Sequence, residues 1–204
     1  MKKLESNLRN MVLVLMGVTV VAVTLLAGVN QLTKEPIQDA KHKKLIAAIS
    51  QVIGDYDNDP TVHPDTLELD GIKYVIYEAT KRGKPVGIAV ETSDPKGFGG
   101  TIKLLVGFDE KGNILDYSLL SMQETPGLGS KVINWFKKGK KGDIIGKNPG
   151  KKPLMVCKDG GDVDAITAST ITSRAFLRAV NRAYEAYEKK VTGVDGTSGA
   201  SVPY

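Results

Sequence analysis

Cysteine occurs once in the 204 residues, at Cys157, so the chain can form no internal disulfide framework and no multi-thiolate metal or iron–sulfur site. Histidine is nearly as scarce, and His42 and His63 cannot build a metal site by themselves. Any electron chemistry must therefore rest on an organic group or on ligands other than thiolates. Aromatic residues are few, and only Trp135 and Phe136 fall within the lysine-rich stretch, which leaves no stacking platform for nucleic acid. No nucleophile–base pairing and no dinucleotide fingerprint is legible.

What is present is enough apolar residue, 41%, for one packed domain plus an attachment. The net charge of +5 is local in origin. Lys131, Lys137, Lys138, Lys140, Lys141, Lys147, Lys151 and Lys152 crowd one stretch against a single Asp143. That stretch reads either as a solvated loop or as a patch facing a membrane or a partner.

The first 10 residues are short and basic, with Lys2, Lys3 and Arg9. Residues 11–29 follow without a charge, and at roughly 1.5 Å per residue they reach about 28 Å, close to the hydrocarbon thickness of a bilayer. The run, taken as 11–30, is longer than the apolar region of a signal peptide, so it predicts an uncleaved membrane span. The basic N-terminus would stay in the cytoplasm and the rest would lie outside. Pro36 can open a helix, and Leu45, Ile46, Ile49, Val52 and Ile53 recur at helical spacing, which predicts a helical connector over 31–54.

The domain is expected over 55–192 and a loose tail over 193–204. Residues 55–71 read as loop. "IKYVIYEAT" and "PVGIAVETS" flank "KRGK", and "TIKLLVGFD" and "ILDYSLLS" flank "EKGN", which predicts two hairpins in one antiparallel sheet. A short helix is expected over 130–138, a loop over 139–153, and one or two short strands within "LMVCKDGGDVDAIT". The last helix, about 171–190, carries an apolar stripe of Ile171, Ala175, Ala179, Ala183, Tyr184 and Tyr187. Arg174, Arg178 and Arg182 form a second stripe, either solvated or docking. The fold class is α+β: a single transmembrane helix, then one domain of antiparallel sheet with packed helices.

Two stretches carry chemistry. "DAITASTITSRAF", 164–176, crowds hydroxyls where the last helix begins. Asp164, Thr167, Ser169 or Thr170 could cap the helix, a role worth about 1 kcal/mol, but one cap needs one residue. The other reading is a seat for phosphate, which a helix N-terminus favours through its free N–H groups and partial positive charge. In "ETPGLG", 124–129, Gly127 and Gly129 would hold Leu128 at the tip of a tight turn, where it either packs on a flat ring or tucks into the core. Glu124 and Thr125 would offer polar contacts. "GFGGTI" at 97–102 lacks the residues of a phosphate loop.

"GFGGTIKLLVGFD", "ETPGLG" and "DAITASTITSRAF", in this order behind one span, resemble RnfG, the FMN-binding component of the Rnf ion-translocating electron-transport complex. A sister family is NqrC of the sodium-translocating NADH:quinone oxidoreductase; the compact length favours the former. The resemblance implies a covalent flavin, its phosphate esterified to threonine in a motif Asp-x-x-Ser/Thr-Gly-Ala-Thr. Asp164, Thr167 and Thr170 match this motif, with Thr170 as acceptor. Ala168 stands where Gly is usual and Ser169 where Ala is usual. Thr172 and Ser173 would help to hold the phosphate, and Glu124, Thr125, Gly127, Leu128 and Gly129 the rest of the cofactor.

The resemblance further implies a separate flavin transferase that uses FAD and a metal ion, and membership of a membrane complex that couples reduced ferredoxin and NAD to movement of Na⁺ or H⁺. The whole complex, not this component, would be the translocase. The chain would sit in the bacterial cytoplasmic membrane, touching lipid and the other components, with its FMN-binding domain extracytoplasmic. The rival readings are the sister NqrC family, a free-standing anchored flavoprotein, and an anchored binding module in which the hydroxyl cluster merely caps a helix.

Overall fold

A computed structural model of the chain describes residues 8–69 and 71–193; Lys2, Lys3 and the tail expected over 193–204, beyond Gly193, lie outside them. The chain divides after Lys44 into two compact units. The first is the greater part of helix α1, Leu8–Ile53. Its apolar side chains are exposed all round, as a bilayer or neighbouring helices require. Thr19, Thr24 and Thr33 turn their hydroxyls back onto the carbonyls of Met16, Val20 and Val29 at 2.8–2.9 Å, which lets polar residues sit in such a helix without an unmet donor. Pro36 does not start a new helix: α1 runs through it, since one missing N–H at an exposed position costs the helix a single bond without exposing a buried group.

The second unit contains the five strands β1 (Asp65–Leu69), β2 (Ile72–Lys81), β3 (Lys84–Asp94), β4 (Ile102–Phe108) and β5 (Ile114–Ser121). They form one antiparallel meander in sequence order. Arg82 and Gly83 both have positive φ, the conformation a two-residue hairpin needs, and Asp57 accepts a bond from the Arg82 amide at 2.6 Å. Strand β1 lies in the stretch read as loop. Only Leu67 and Leu69 of its five residues pack on the core, too short an alternation to stand out between Pro- and Asp-rich flanks.

Helix α2 (Val132–Trp135) follows a 3-10 turn at Gly129–Lys131 and is shorter than expected, because Phe136 leaves helical geometry to bury its ring. No strand forms over 154–167: the described residues there make one bridge, Val156 to Val163, and a 3-10 turn at Cys157–Asp159. Helix α3 (Thr170–Thr192) lies on one face of the sheet. Its Phe176 stacks on Phe136 at 4.5 Å and meets Tyr117 edge-on at 4.8 Å, while Ala175, Ala179 and Ala183 let the helix approach closely.

On the other face, Ala48, Ile49 and Val52 from the last turns of α1 pack with Tyr77, Ala89 and Leu105. Here Gly107 is required: a Cβ would lie 2.4 Å from the Val52 carbonyl oxygen.

Two expectations about α3 need correction. Ile171 is not on the buried stripe but 51% exposed, since it falls in the first turn beyond the edge of the sheet contact. The arginine stripe is only partly solvated, because each arginine is engaged in an ion pair. Arg178 and Arg182 converge on Asp94, which is fully buried at the end of β3, and Arg174 grips Asp159 with two bonds.

Candidate functional site

Three segments meet at the N-terminus of α3: the loop after β3, the turn after β5, and the 164–169 turn. The first is started by Asp94, whose Oδ1 accepts from the Lys96 amide at 2.8 Å, and it presents Phe98, 69% exposed despite its size. In the second, Thr125 accepts backbone bonds from Leu128 and Ser130, and the Ser130 hydroxyl accepts from the Gly127 amide. Gly127, at φ 77°, makes the turn and lines neither of the two cavities formed here; Leu128 is left 42% exposed at its tip rather than in the core.

These segments enclose a cavity of about 330 Å³ lined by Phe98, Glu124, Thr125, Leu128, Gly129 and residues 168–172. Phe98, Leu128 and Ile171 give it apolar walls. Glu124 supplies its polar end, and the space for that carboxylate comes from glycines: a Cβ on Gly97 would lie 2.8 Å from Oε1, and one on Gly129 2.4 Å from Oε2. Oε2 accepts from Thr172, whereas Oε1 is buried with no partner. A buried acceptor in this condition calls for a donor. In the lining of this cavity Phe98 and Ile171 are the residues that sequence reasoning missed; a bulky aromatic between two glycines was the available signal for the first.

A second cavity, of about 380 Å³, adjoins the first at Ala168 and Thr170 and is also lined by Cys157, Lys158, Asp164, Ala165, Ile166 and Thr167. The exposed Cys157 thiol points to Asp164 at 3.5 Å; shielding by its neighbours and then the Asp164 carboxylate push its pKa up, so it is no ready nucleophile.

The hydroxyl cluster resolves into distinct duties. No side chain caps α3: Ser169, at the cap position, donates instead to Thr172 at 2.8 Å, and Thr172 passes the chain on to Glu124 at 3.0 Å. Ser173, fully buried, accepts from the Ile166 amide at 2.9 Å and donates to the Ser169 carbonyl at 3.0 Å, so it holds the turn and lines neither cavity. The side chains of Thr167 and Thr170 have no hydrogen-bond partner among the described residues. Thr170 alone of these hydroxyl residues lines both cavities, half-buried at the helix's first position. Ala168 reaches this arrangement with φ 59°, a conformation that suits glycine.

Residues 97–185 match the family model of the FMN-binding domain, and residues 1–52 that of the RnfG N-terminal region. The chain is 40% identical over 174 residues to the G component of an ion-translocating oxidoreductase complex of Shewanella baltica, covering 78% of this chain and 79% of the relative. The same figures over 170 residues hold for its counterpart in Shewanella oneidensis. The counterpart in Vibrio cholerae serotype O1 is 37% identical over 175 residues, 81% of this chain and 83% of the relative.

Proposed function

The chain belongs to the RnfG family, the G components of ion-translocating oxidoreductase complexes, and from that premise we propose that Thr170 carries FMN as a phosphate ester and that the two adjoining cavities hold it for electron transfer within the membrane complex. The sister reading, as the NqrC of a quinone-reducing complex, is not favoured, because the Shewanella and Vibrio relatives are G components and the N-terminal match is of the same kind. The reading without a cofactor gives way to the FMN-binding domain.

The residues fit the group. A flavin brings a flat apolar ring for Phe98, Leu128 and Ile171, and N–H and ribityl O–H donors for the unpaired Glu124 Oε1. Its phosphate suits the first turn of α3, where backbone N–H groups are left over. The observation that carries the attachment site is that Thr170 alone joins a hydroxyl without a partner to both cavities.

FMN supplies the one- and two-electron chemistry; the chain's part is to hold and orient it. In the attachment reaction the Thr170 oxygen bonds to the FMN phosphorus of FAD, the bond from that phosphorus to the bridging oxygen of the pyrophosphate breaks, AMP leaves with that oxygen, and the hydroxyl proton passes to AMP or solvent. A threonine hydroxyl needs activation for this, which a flavin transferase with its metal ion provides. The electron route from reduced ferredoxin to NAD, coupled to Na⁺ or H⁺ movement, belongs to the assembled complex.

Full-length protein co-expressed with a transferase is expected to gain one FMN-sized mass, mapping to the peptide with Thr170. No gain, with a transferase that modifies a known substrate, would leave the site non-covalent. Leu128→Ala and Phe98→Ala are each expected to move the flavin's spectrum and its midpoint potential by about 20–30 mV, equivalent to about 1 kcal/mol of differential contact for a two-electron couple. Unchanged spectra and potentials in both would remove these side chains from the ring's walls.

The basic residues ahead of the span, Arg9 among them, support a topology with the domain outside the cytoplasm. A reporter fused after Tyr204 is therefore expected to be active only on the extracytoplasmic side; cytoplasmic activity would reverse the topology.

A further inference from the structure

We propose that Lys158 is the counter-charge of the phosphodiester at Thr170, which makes the second cavity the phosphate side of the site; this rests on Thr170 as the attachment residue. The first cavity is a poor place for the phosphate. Its polar end is Glu124 Oε1, an acceptor short of a donor, and a phosphodiester offers acceptors only. On the far side of Thr170 the lining includes a cation, Lys158, as well as a carboxylate, Asp164.

Of the carboxylates there only Asp164 lines the cavity, and the two on the adjoining turn, Asp159 and Asp162, are paired with cations. Asp159 takes two bonds from Arg174 at 2.7 and 2.6 Å, Asp162 pairs with Lys147 at 2.8 Å and Lys152 at 3.7 Å, and Asp164 accepts from Cys157. The arginine beside Asp159 holds that carboxyl below its ordinary value, so the pair persists well into mildly acid solution. Lys158 is the single cation lining either cavity, and among the described residues no carboxylate pairs with its ammonium.

Its backbone is also fixed in relation to Thr170. Lys158 lies on the Cys157–Asp159 turn, and Asp159 ties that turn to Arg174, one helical turn beyond Thr170. Lys158 lines the same cavity as Thr170, and its flexible stem carries a compact charge suited to a phosphate oxygen held there. Lys158 is thus a positioning residue for the cofactor.

The test uses the full-length chain co-expressed with a flavin transferase and purified in detergent, as wild type and as Lys158→Arg, Lys158→Ala and Lys158→Glu. Intact mass at limiting transferase gives the initial rate of attachment, and ³¹P NMR of the flavin-bearing proteins reads the phosphodiester itself. Lys158→Glu is expected to slow attachment about tenfold. The ³¹P resonance is expected to move in Lys158→Ala and to stay near wild type in Lys158→Arg. Lys151→Glu, which changes an exposed lysine outside both cavities, should alter neither readout. Wild-type rate and resonance in the Ala and Glu variants would overturn the proposal. So would a slower rate with an unmoved resonance, which would assign Lys158 to docking of the transferase. A wild type without flavin would overturn the attachment reading itself, a result distinct from the other two.

Discussion

Thr170→Ala is expected to reduce covalent flavin below detection by mass and by in-gel fluorescence, with the fold unchanged. The two halves of this expectation have separate grounds. Chemically, the ester needs an oxygen at the junction of the two cavities, and Thr170 alone of the hydroxyl residues there borders both. Structurally, its hydroxyl bonds to nothing among the described residues, its side chain is half-buried, and alanine is the better helix former, so the stability change should stay within about 0.5 kcal/mol. Substitution of its neighbours should behave differently. Thr172→Ala removes the donor to Glu124 and breaks the chain from Ser169, and Ser173→Ala leaves the Ile166 amide unmet inside the core. If flavin persisted in Thr170→Ala, Thr167 would be the first alternative, because its hydroxyl is also free and it lines the second cavity. Loss of flavin in Thr167→Ala with retention in Thr170→Ala would move the attachment site.

The contrast among these hydroxyls marks the limit of what the sequence conveys. The two hairpins and α3 are written locally, in β-branched runs around "KRGK" and "EKGN" and in an alanine-rich helical stripe. The cluster at 164–176 and its partner turn at 124–129 are legible as special, and the structure does bring them together across the molecule. The division of labour is not local. Ser169, Thr170 and Thr172 look alike in sequence, but Ser169 donates to Thr172 and Thr172 to the distant Glu124, while the Thr170 hydroxyl has no partner among the described residues.

The same holds for Ile171, which has the right spacing for the core but starts the helix beyond it. Phe98 faces the cavity because glycines on both sides leave room for the loop: a Cβ on Gly99 would lie 1.8 Å from the Gln123 carbonyl oxygen. Ala168 is an instructive departure. The motif position usually held by glycine has φ 59°, so this chain keeps the left-handed turn at a strain cost of about 1 kcal/mol and places a methyl group at the border of the two cavities.

Arg178→Met is expected to destabilise the domain by about 2–3 kcal/mol and, for a domain of this size, to lower its melting temperature by roughly 5–10 °C. Asp94 is fully buried and gives both oxygens to Arg178, at 2.9 and 3.1 Å; without them it keeps one longer bond from Arg182 at 3.3 Å and the Lys96 amide at 2.8 Å. A buried carboxylate with too few donors is the costly state, so removal of the arginine should hurt more than removal of the charge it serves. The cost falls at or below the lower end of the usual range because the Arg178 side chain is 38% exposed and its attraction is partly screened.

Arg182→Met, which forfeits a single weak bond, should cost about 1 kcal/mol. Asp94→Leu combined with Arg178→Met should cost less than the sum of the two single changes, since no unmatched charge then remains inside. Because Asp94 both anchors α3 and starts the loop that carries Phe98, Arg178→Met should also broaden the bound flavin's visible circular dichroism while the ester at Thr170 stays intact. A loss of less than about 1 kcal/mol in Arg178→Met, with an unchanged flavin signal, would mean that Asp94 is held by its other donors and that α3 keeps its place without the arginine clamp.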